Sequence, residues 1–305
     1  MLKKFIINLL LIFIVIAAIE VCAFNKTKEE NDIFKQQVKK LASNNADSFK
    51  TEYKILDDFS PSIWRNSFYK PNSNKKPFLW FGCSFAEGAG LEDKETPCYK
   101  LSKITGRSCI NRSKGATGTQ FVYSQLKDDN ITNEIPDVDY IIYTFIWDHT
   151  RRLYLYQVNP LIYMFNIRYK LQNGKLKEIK PIFKPLYSLY FVKRILNRKI
   201  TEETFQERKD YNLFNAMLQE SFKISKEKYP NAKFIMIEFP ELSKMKLPEN
   251  EVNKLEEIGI TVVDAEKLMD DIDVYNKKYW LSDDIHPTSE LWDKFLPKFA
   301  ELYMN

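Results

Sequence analysis

The sequence predicts an α/β protein, a three-layer sandwich with a central, mostly parallel sheet, preceded by an N-terminal membrane-targeting helix. Three observations predict it. Short apolar runs at 78–81, 140–146, 233–238 and 260–263 read as strands, and helical patterns alternate with them. That alternation implies a parallel sheet covered on both faces. The stretch Tyr140-Ile141-Ile142-Tyr143-Thr144-Phe145-Ile146 is a continuous run of the kind that strands buried on both faces show. Finally, the chain opens with two lysines and a long apolar segment.

Composition narrows the classes. With 305 residues, 44% hydrophobic, 29% charged and 14% aromatic, the chain is neither low-complexity, collagen-like nor a disulfide scaffold. Lys and Arg number 46 against 41 Asp and Glu, and the charges are interspersed, so a net +5 predicts no nucleic-acid partner. Two histidines and four cysteines, with no CxxC or HxxxH spacing, predict neither a metal centre nor a cofactor. No internal repeat is visible.

Residues 1–24 read as a signal peptide or membrane anchor. Lys3 and Lys4 precede twenty residues, 5–24, whose single charge is Glu20. That length matches a bilayer-spanning helix, and the small-residue end Val21-Cys22-Ala23 fits a cleavable signal. Either way the rest is exported, anchored facing the periplasm or cell exterior through 5–24, or secreted after cleavage. The lysines that follow, Lys26, Lys28, Lys35, Lys39 and Lys40, oppose an N-terminus-inside anchor, but large domains translocate largely regardless of charge. Cys22 follows Ile19-Glu20-Val21, which does not fit a lipoprotein site.

Residues 25–76 are polar and lysine-rich, a stalk or lead-in with a helical stretch near 32–42, and the domain proper occupies 77–305. Its elements in order are a strand at 78–81, a helix near 96–105, a strand at 108–110, a helix at 120–126 and a strand at 140–146. A helix at 203–228, a strand at 233–238, a helix at 249–258, a strand at 260–263 and a last helix at 291–302 follow. Residues 151–200, crowded with Tyr, Phe, Leu, Lys and Arg, break the rhythm and read as an insertion. Its aromatics either pack a small core of their own or form a lid or groove for a carbohydrate, an acyl chain or a membrane surface.

Two motifs carry chemistry. Gly82-Cys83-Ser84-Phe85-Ala86-Glu87-Gly88 puts a serine just after the first strand between glycines that permit a tight turn, and ligands of parallel α/β sheets bind outside the strands' carboxyl ends. Near the other end, Asp283 and His286 share the short loop Ser282-Asp283-Asp284-Ile285-His286-Pro287-Thr288. A serine nucleophile needs a base in reach, and the base needs a carboxylate to fix its tautomer. The same loop also reads as the cap of the last helix, which is compatible with catalysis.

Together the motifs resemble the SGNH (GDSL-like) hydrolase superfamily, in which a G-x-S-x-x-x-G block follows the first strand and a D-x-x-H block precedes the last helix. The resemblance spans roughly 78–303, apart from the insertion. It implies Ser84 as nucleophile, His286 as general base and Asp283 as its orienting carboxylate. It further implies an oxyanion hole built from the N–H of Ser84 and of Gly115 or Ala116 in Asn111-Arg112-Ser113-Lys114-Gly115-Ala116-Thr117-Gly118. Where the family offers an Asn side chain as third donor, this chain has Ile146-Trp147-Asp148-His149-Thr150-Arg151-Arg152. An ionised Asp148 only accepts, so the donor falls to His149, Trp147 or an arginine. Asp148, Arg151 and Arg152 are the candidate substrate-binding residues, the arginines for an anionic group.

The implied activity is hydrolysis or transfer of acyl groups on oxygen esters, with an acylated carbohydrate of the cell envelope, or another ester, as substrate. The rival is a carbohydrate-binding or assembly protein that keeps the fold without the chemistry; a membrane-surface structural protein is a third reading. For an exported chain, Cys98 and Cys109, eleven positions apart on adjacent elements, are disulfide candidates.

Overall fold

A computed structural model describes residues 74–154, 169–178, 211–282 and 285–304. Strand β1 (Phe78–Phe81) runs through Gly82 and Cys83 into the one-turn helix α1 (Ser84–Glu87). Helix α2 (Pro97–Thr105) begins where the Thr96 hydroxyl accepts the Tyr99 N–H at 3.3 Å and Pro97 presets the first turn; it ends at Gly106, whose φ of 69° suits glycine. Strand β2 (Cys109–Asn111), helices α3 (Thr119–Lys127) and α4 (Ile131–Glu134), strand β3 (Tyr140–Phe145) and helix α5 (Asp148–Tyr154) follow. Strands β4 (Tyr169–Gln172) and β5 (Lys175–Glu178) form an antiparallel hairpin. The chain continues with α6 (Asn212–Lys228), β6 (Lys233–Glu238), α7 (Glu249–Glu257), β7 (Thr261–Asp264), α8 (Ala265–Leu268) and α9 (Ser289–Tyr303).

Five strands form one sheet in the order β2-β1-β3-β6-β7, and every pairing is parallel. Because successive side chains point to opposite faces, the apolar strands feed two cores. Phe78, Trp80, Tyr140, Ile142, Ile235 and Ile237 face α2 and α9, where Trp292 stacks on Phe239 at 4.2 Å and meets Trp80 edge-on at 6.2 Å. Leu79, Phe81, Ile141, Tyr143, Phe145 and Met236 face α3 and α6. Trp292 is fully buried, and truncating a side chain of that size costs about 3–5 kcal/mol. The Trp80 indole N–H is satisfied inside the first core by Thr144 Oγ1 at 2.8 Å.

All carboxyl ends lie on one edge, and the order, 2-1-3-4-5 counting only this sheet's strands, reverses direction around β1. The crevice at that reversal is where open α/β sheets bind ligands. The expected parallel sheet with helices on both faces is present, and the strand expected at 260–263 lies one residue later. Within the expected insertion, α5 extends to Tyr154, and the hairpin turns on Asn173 and Gly174 at φ 53° and 71°, the positive angles that a two-residue turn requires. The expected helix at 203–228 is described from Asn212 onward. The membrane-targeting segment, nearly all of the stalk and the remainder of the insertion lie outside the described residues, among which no helix is long and apolar enough to cross a membrane.

Candidate active site

Ser84 is presented by a backbone that leaves no room for side chains. A Cβ on Gly82 would stand 2.6 Å from Ala86 Cβ and 3.2 Å from the Thr144 carbonyl oxygen, so only glycine lets β1 turn this closely into α1. The helix closes by Gly88 N–H to the Ser84 carbonyl at 3.0 Å, and Gly88 leaves it at φ 78°. Ser84 stays partly exposed while its neighbours Cys83, Phe85 and Ala86 are buried.

His286 arrives from the loop before α9. Trp280 and Pro287 form an antiparallel bridge, the Leu281 N–H donates to the His286 carbonyl at 2.8 Å, and the Thr288 N–H donates to the Tyr279 carbonyl at 2.8 Å. The clamped loop packs on the buried Phe85, whose ring lies 5.8 Å from the imidazole and 6.2 Å from Trp280. The result is a hydrogen bond of 2.9 Å between His286 Nε2 and Ser84 Oγ across 202 residues of sequence. That is the reach a nucleophile and its base require. Asp283 lies outside the described residues, so its approach to His286 Nδ1 remains an expectation.

The loop after β2 lies beside the serine. A Cβ on Gly115 would stand 4.0 Å from Ser84 Cβ and 3.2 Å from a Glu87 carboxylate oxygen, which brings the Gly115 backbone against the nucleophile. Ala116 adopts φ 58°, and the turn is closed by Thr117 N–H to the Lys114 carbonyl at 3.2 Å. Lys114 N–H donates to the Gly82 carbonyl at 3.1 Å, and the Thr117 hydroxyl lies within reach of two carbonyls, that of Lys114 at 2.7 Å and that of Gly82 at 3.1 Å. The buried Asn111 side chain joins the two elements further, its Nδ2 donating to the Ala86 carbonyl at 3.1 Å and its Oδ1 accepting the Ser113 N–H at 2.9 Å. This bracing is absent from the sequence expectations, although an Asn at the end of a buried strand is itself a signal, because its side chain must find partners there.

His149 sits differently from the expected third donor. Its ring is fully buried on the α3 and α6 face of the sheet, stacked on Tyr143 at 5.7 Å and edge-on to Phe145 at 5.8 Å. Nδ1 lies 2.7 Å from the Tyr143 hydroxyl, which also meets Thr119 Oγ1 at 2.9 Å, and Nε2 is buried with no hydrogen-bond partner among the described residues. Burial, with the nearby Arg152 charge, holds its pKa well below the ordinary histidine value, so the ring is neutral. The structure thus brings together Ser84, His286 and Gly115 and leaves His149 as a core residue.

Asp148 and Arg152 face each other instead of open solvent. Arg152 Nε donates to Asp148 Oδ2 at 2.7 Å across one turn of α5, and Nη1 donates to the Thr117 carbonyl. The Arg151 side chain is outside the description. Cys83, before the nucleophile, is fully buried, and burial pushes its thiol pKa up against the opposing effect of Arg152. The structure joins Cys98 and Cys109 in a disulfide, Cα to Cα 5.7 Å. Among the described residues no group of three or more His, Cys, Asp or Glu is placed to hold a metal ion.

No family model and no curated protein matches the chain. Solved structures with similar architecture include a catalytic mutant of Axe2, an acetylxylan esterase from Geobacillus stearothermophilus, at 11% identity and TM-score 0.43 over 76% of this chain and 95% of that one. The lipase Lip_vut3 from a goat rumen metagenome is 15% identical at TM-score 0.41, covering 74% of this chain and 97% of that one. The salicylyl-acyltransferase SsfX3 from a tetracycline biosynthetic pathway is 11% identical at TM-score 0.43, over 75% of this chain and 54% of that one.

Proposed function

We propose that the protein is an exported serine esterase or acyltransferase of the SGNH type, held at the membrane through residues 5–24 unless that segment is cleaved, acting on acylated glycans of the cell envelope. The observation that carries the reading is the 2.9 Å Ser84–His286 hydrogen bond at the carboxyl edge of the sheet, with the Gly115 backbone alongside. Ser84 Oγ attacks the acyl carbonyl carbon while its proton passes to His286 Nε2. The carbonyl oxygen becomes an oxyanion, held by N–H groups of Ser84 and of Gly115 or Ala116. The tetrahedral adduct collapses, the C–O bond to the alcohol breaks, and His286 returns the proton to the leaving oxygen. Water, or the hydroxyl of an acceptor sugar, then attacks the acyl-serine and gives its proton to His286; the bond from the acyl carbon to Ser84 Oγ breaks, His286 returns the proton to Ser84 Oγ, and the free acid or the acylated sugar leaves. Asp283 is assigned to His286 Nδ1, where a carboxylate fixes the tautomer and stabilises the imidazolium.

The envelope address rests on the apolar N-terminus and its export, and the substrate class on that address. The test is turnover of a short-chain chromogenic ester by the full chain in mild detergent, with Ser84→Ala as control. Activity that falls by about a thousandfold or more in the variant is the expected result. Equal turnover by both proteins overturns the reading. No turnover in either leaves an acyltransferase with a strict acceptor or a carbohydrate-binding protein, and glycan binding is the next measurement.

A further inference from the structure

Arg152 joins the segments that follow β2 and β3. Its side chain is only 13% exposed, and two of its guanidinium nitrogens are committed. Nε binds Asp148 in the first turn of α5, after β3, and Nη1 binds the carbonyl of Thr117 in the loop after β2. Its charge also acts on the thiol of Cys83, the residue between β1 and Ser84. A buried guanidinium is tolerated only where its charge and N–H groups are matched, and Asp148 supplies the matching carboxylate. Because the guanidinium is a rigid planar fork, fixing Nε on Asp148 also fixes the direction in which Nη1 donates.

That direction bears on the reaction. The loop after β2 is held near its start by Asn111 and at its middle by the Lys114 N–H on the Gly82 carbonyl, while Arg152 holds the carbonyl of Thr117 at its far end. Between these anchors stands Ala116 at φ 58°, a conformation that costs a residue with a Cβ on the order of 1 kcal/mol and persists only where the surroundings impose it. Released from one anchor, the turn has an incentive to relax, and the Gly115 and Ala116 N–H groups move with it.

The geometry points to Arg152 as a positioning residue that sets the separation of the Ser84 N–H from the donors of the Gly115 turn, an inference that rests on the ester reading for its catalytic consequence but not for its structural one. It differs from the role expected from sequence, in which Arg152 holds an anionic substrate group: here the guanidinium works on the protein backbone.

The test uses the full chain and two variants. Arg152→Lys keeps the charge but cannot span both anchors, and Arg152→Gln keeps most of the reach without the charge. Hydrogen exchange followed by mass spectrometry is expected to show faster exchange in peptides covering residues 112–118, with β3 and α9 unchanged. Turnover of the chromogenic ester is expected to fall about 10²-fold in kcat, the scale that a misplacement near 1 Å produces, with KM held within about threefold. Wild-type exchange in 112–118, or acceleration spread evenly over the whole domain, overturns the inference. So does an unchanged kcat with a raised KM, which assigns Arg152 to substrate binding. If the wild-type protein shows no Ser84-dependent turnover, the ester reading fails and the exchange pattern alone decides whether Arg152 braces the loop.

Discussion

The Cys98–Cys109 disulfide offers the most direct numerical test, because it clips α2 to the edge strand that leads into the Gly115 loop. The two cysteines are separated by 11 positions, and closing a loop of that length removes unfolded-state entropy equivalent to about 3 kcal/mol at 25 °C. Both residues are buried, at 1% and 3% exposure, so substitution would add packing costs of its own. Reduction is the cleaner perturbation. Protein whose intact bond has been verified by mass is unfolded in urea, refolded with or without reductant, and its transitions are compared by fluorescence. With a urea slope of about 2–3 kcal/mol/M, the reduced protein should unfold about 1 M earlier. Ester turnover should fall as well, since β2 is only three residues long and runs directly into Asn111 and the loop. Coincident transitions in oxidised and reduced protein would refute the entropic argument, and free thiols in protein taken from its native compartment would refute the bond.

His149 is neutral in the fold and binds a proton once unfolded, so stability is present above its ordinary pKa and is lost as pH falls below about 6.5, by up to about 1.4 kcal/mol per pH unit; urea titrations across that range should show the slope, and His149→Phe should flatten it. Gly82→Ala forces a Cβ to within 2.6 Å of Ala86 and must displace Ser84, so kcat should fall about 10²-fold while the protein remains folded, and unchanged kinetics would contradict the packing. Cys83 has no exposed surface and a thiol held protonated by burial, so iodoacetamide should label it only after denaturation.

The pattern of what the sequence disclosed follows from the range of the forces involved. Continuous apolar runs announced β1, β3 and β6 because strands buried on both faces can carry nothing else, and their parallel order followed from the alternation with helices. Ser84 and His286 were legible for a related reason: each sits at a turn, Ser84 where β1 enters α1 and His286 in the loop before α9, so the chemistry and the backbone requirement coincide in a few consecutive positions. The hairpin at 169–178 had its own signal in Asn173-Gly174, a dipeptide suited to two successive positive φ angles, but the aromatic and basic character around it obscured the signal.

The residues from 146 to 152 were harder, because there the sequence gives chemistry without direction. The first turn of α5 places Asp148 and Arg152 four residues apart on one side of the helix, so the two charges pair, and Nη1 of the guanidinium reaches the Thr117 carbonyl. His149, one position on from Asp148, turns instead into the aromatic core under Gly118, where a Cβ would come within 3.6 Å of its ring. A histidine beside two arginines at the end of a buried strand has the composition of a binding site, and only the turn of the helix decides which side chains meet the crevice. The same limit explains Arg152: its anchors are Thr117 and Asp148, and no local pattern in the chain links a carbonyl at 117 to a guanidinium at 152. Where a functional geometry is made by one side chain bridging the ends of two strands, the sequence supplies the donors but not the angles, and the angles are what the positions of the Gly115 and Ala116 N–H groups depend on.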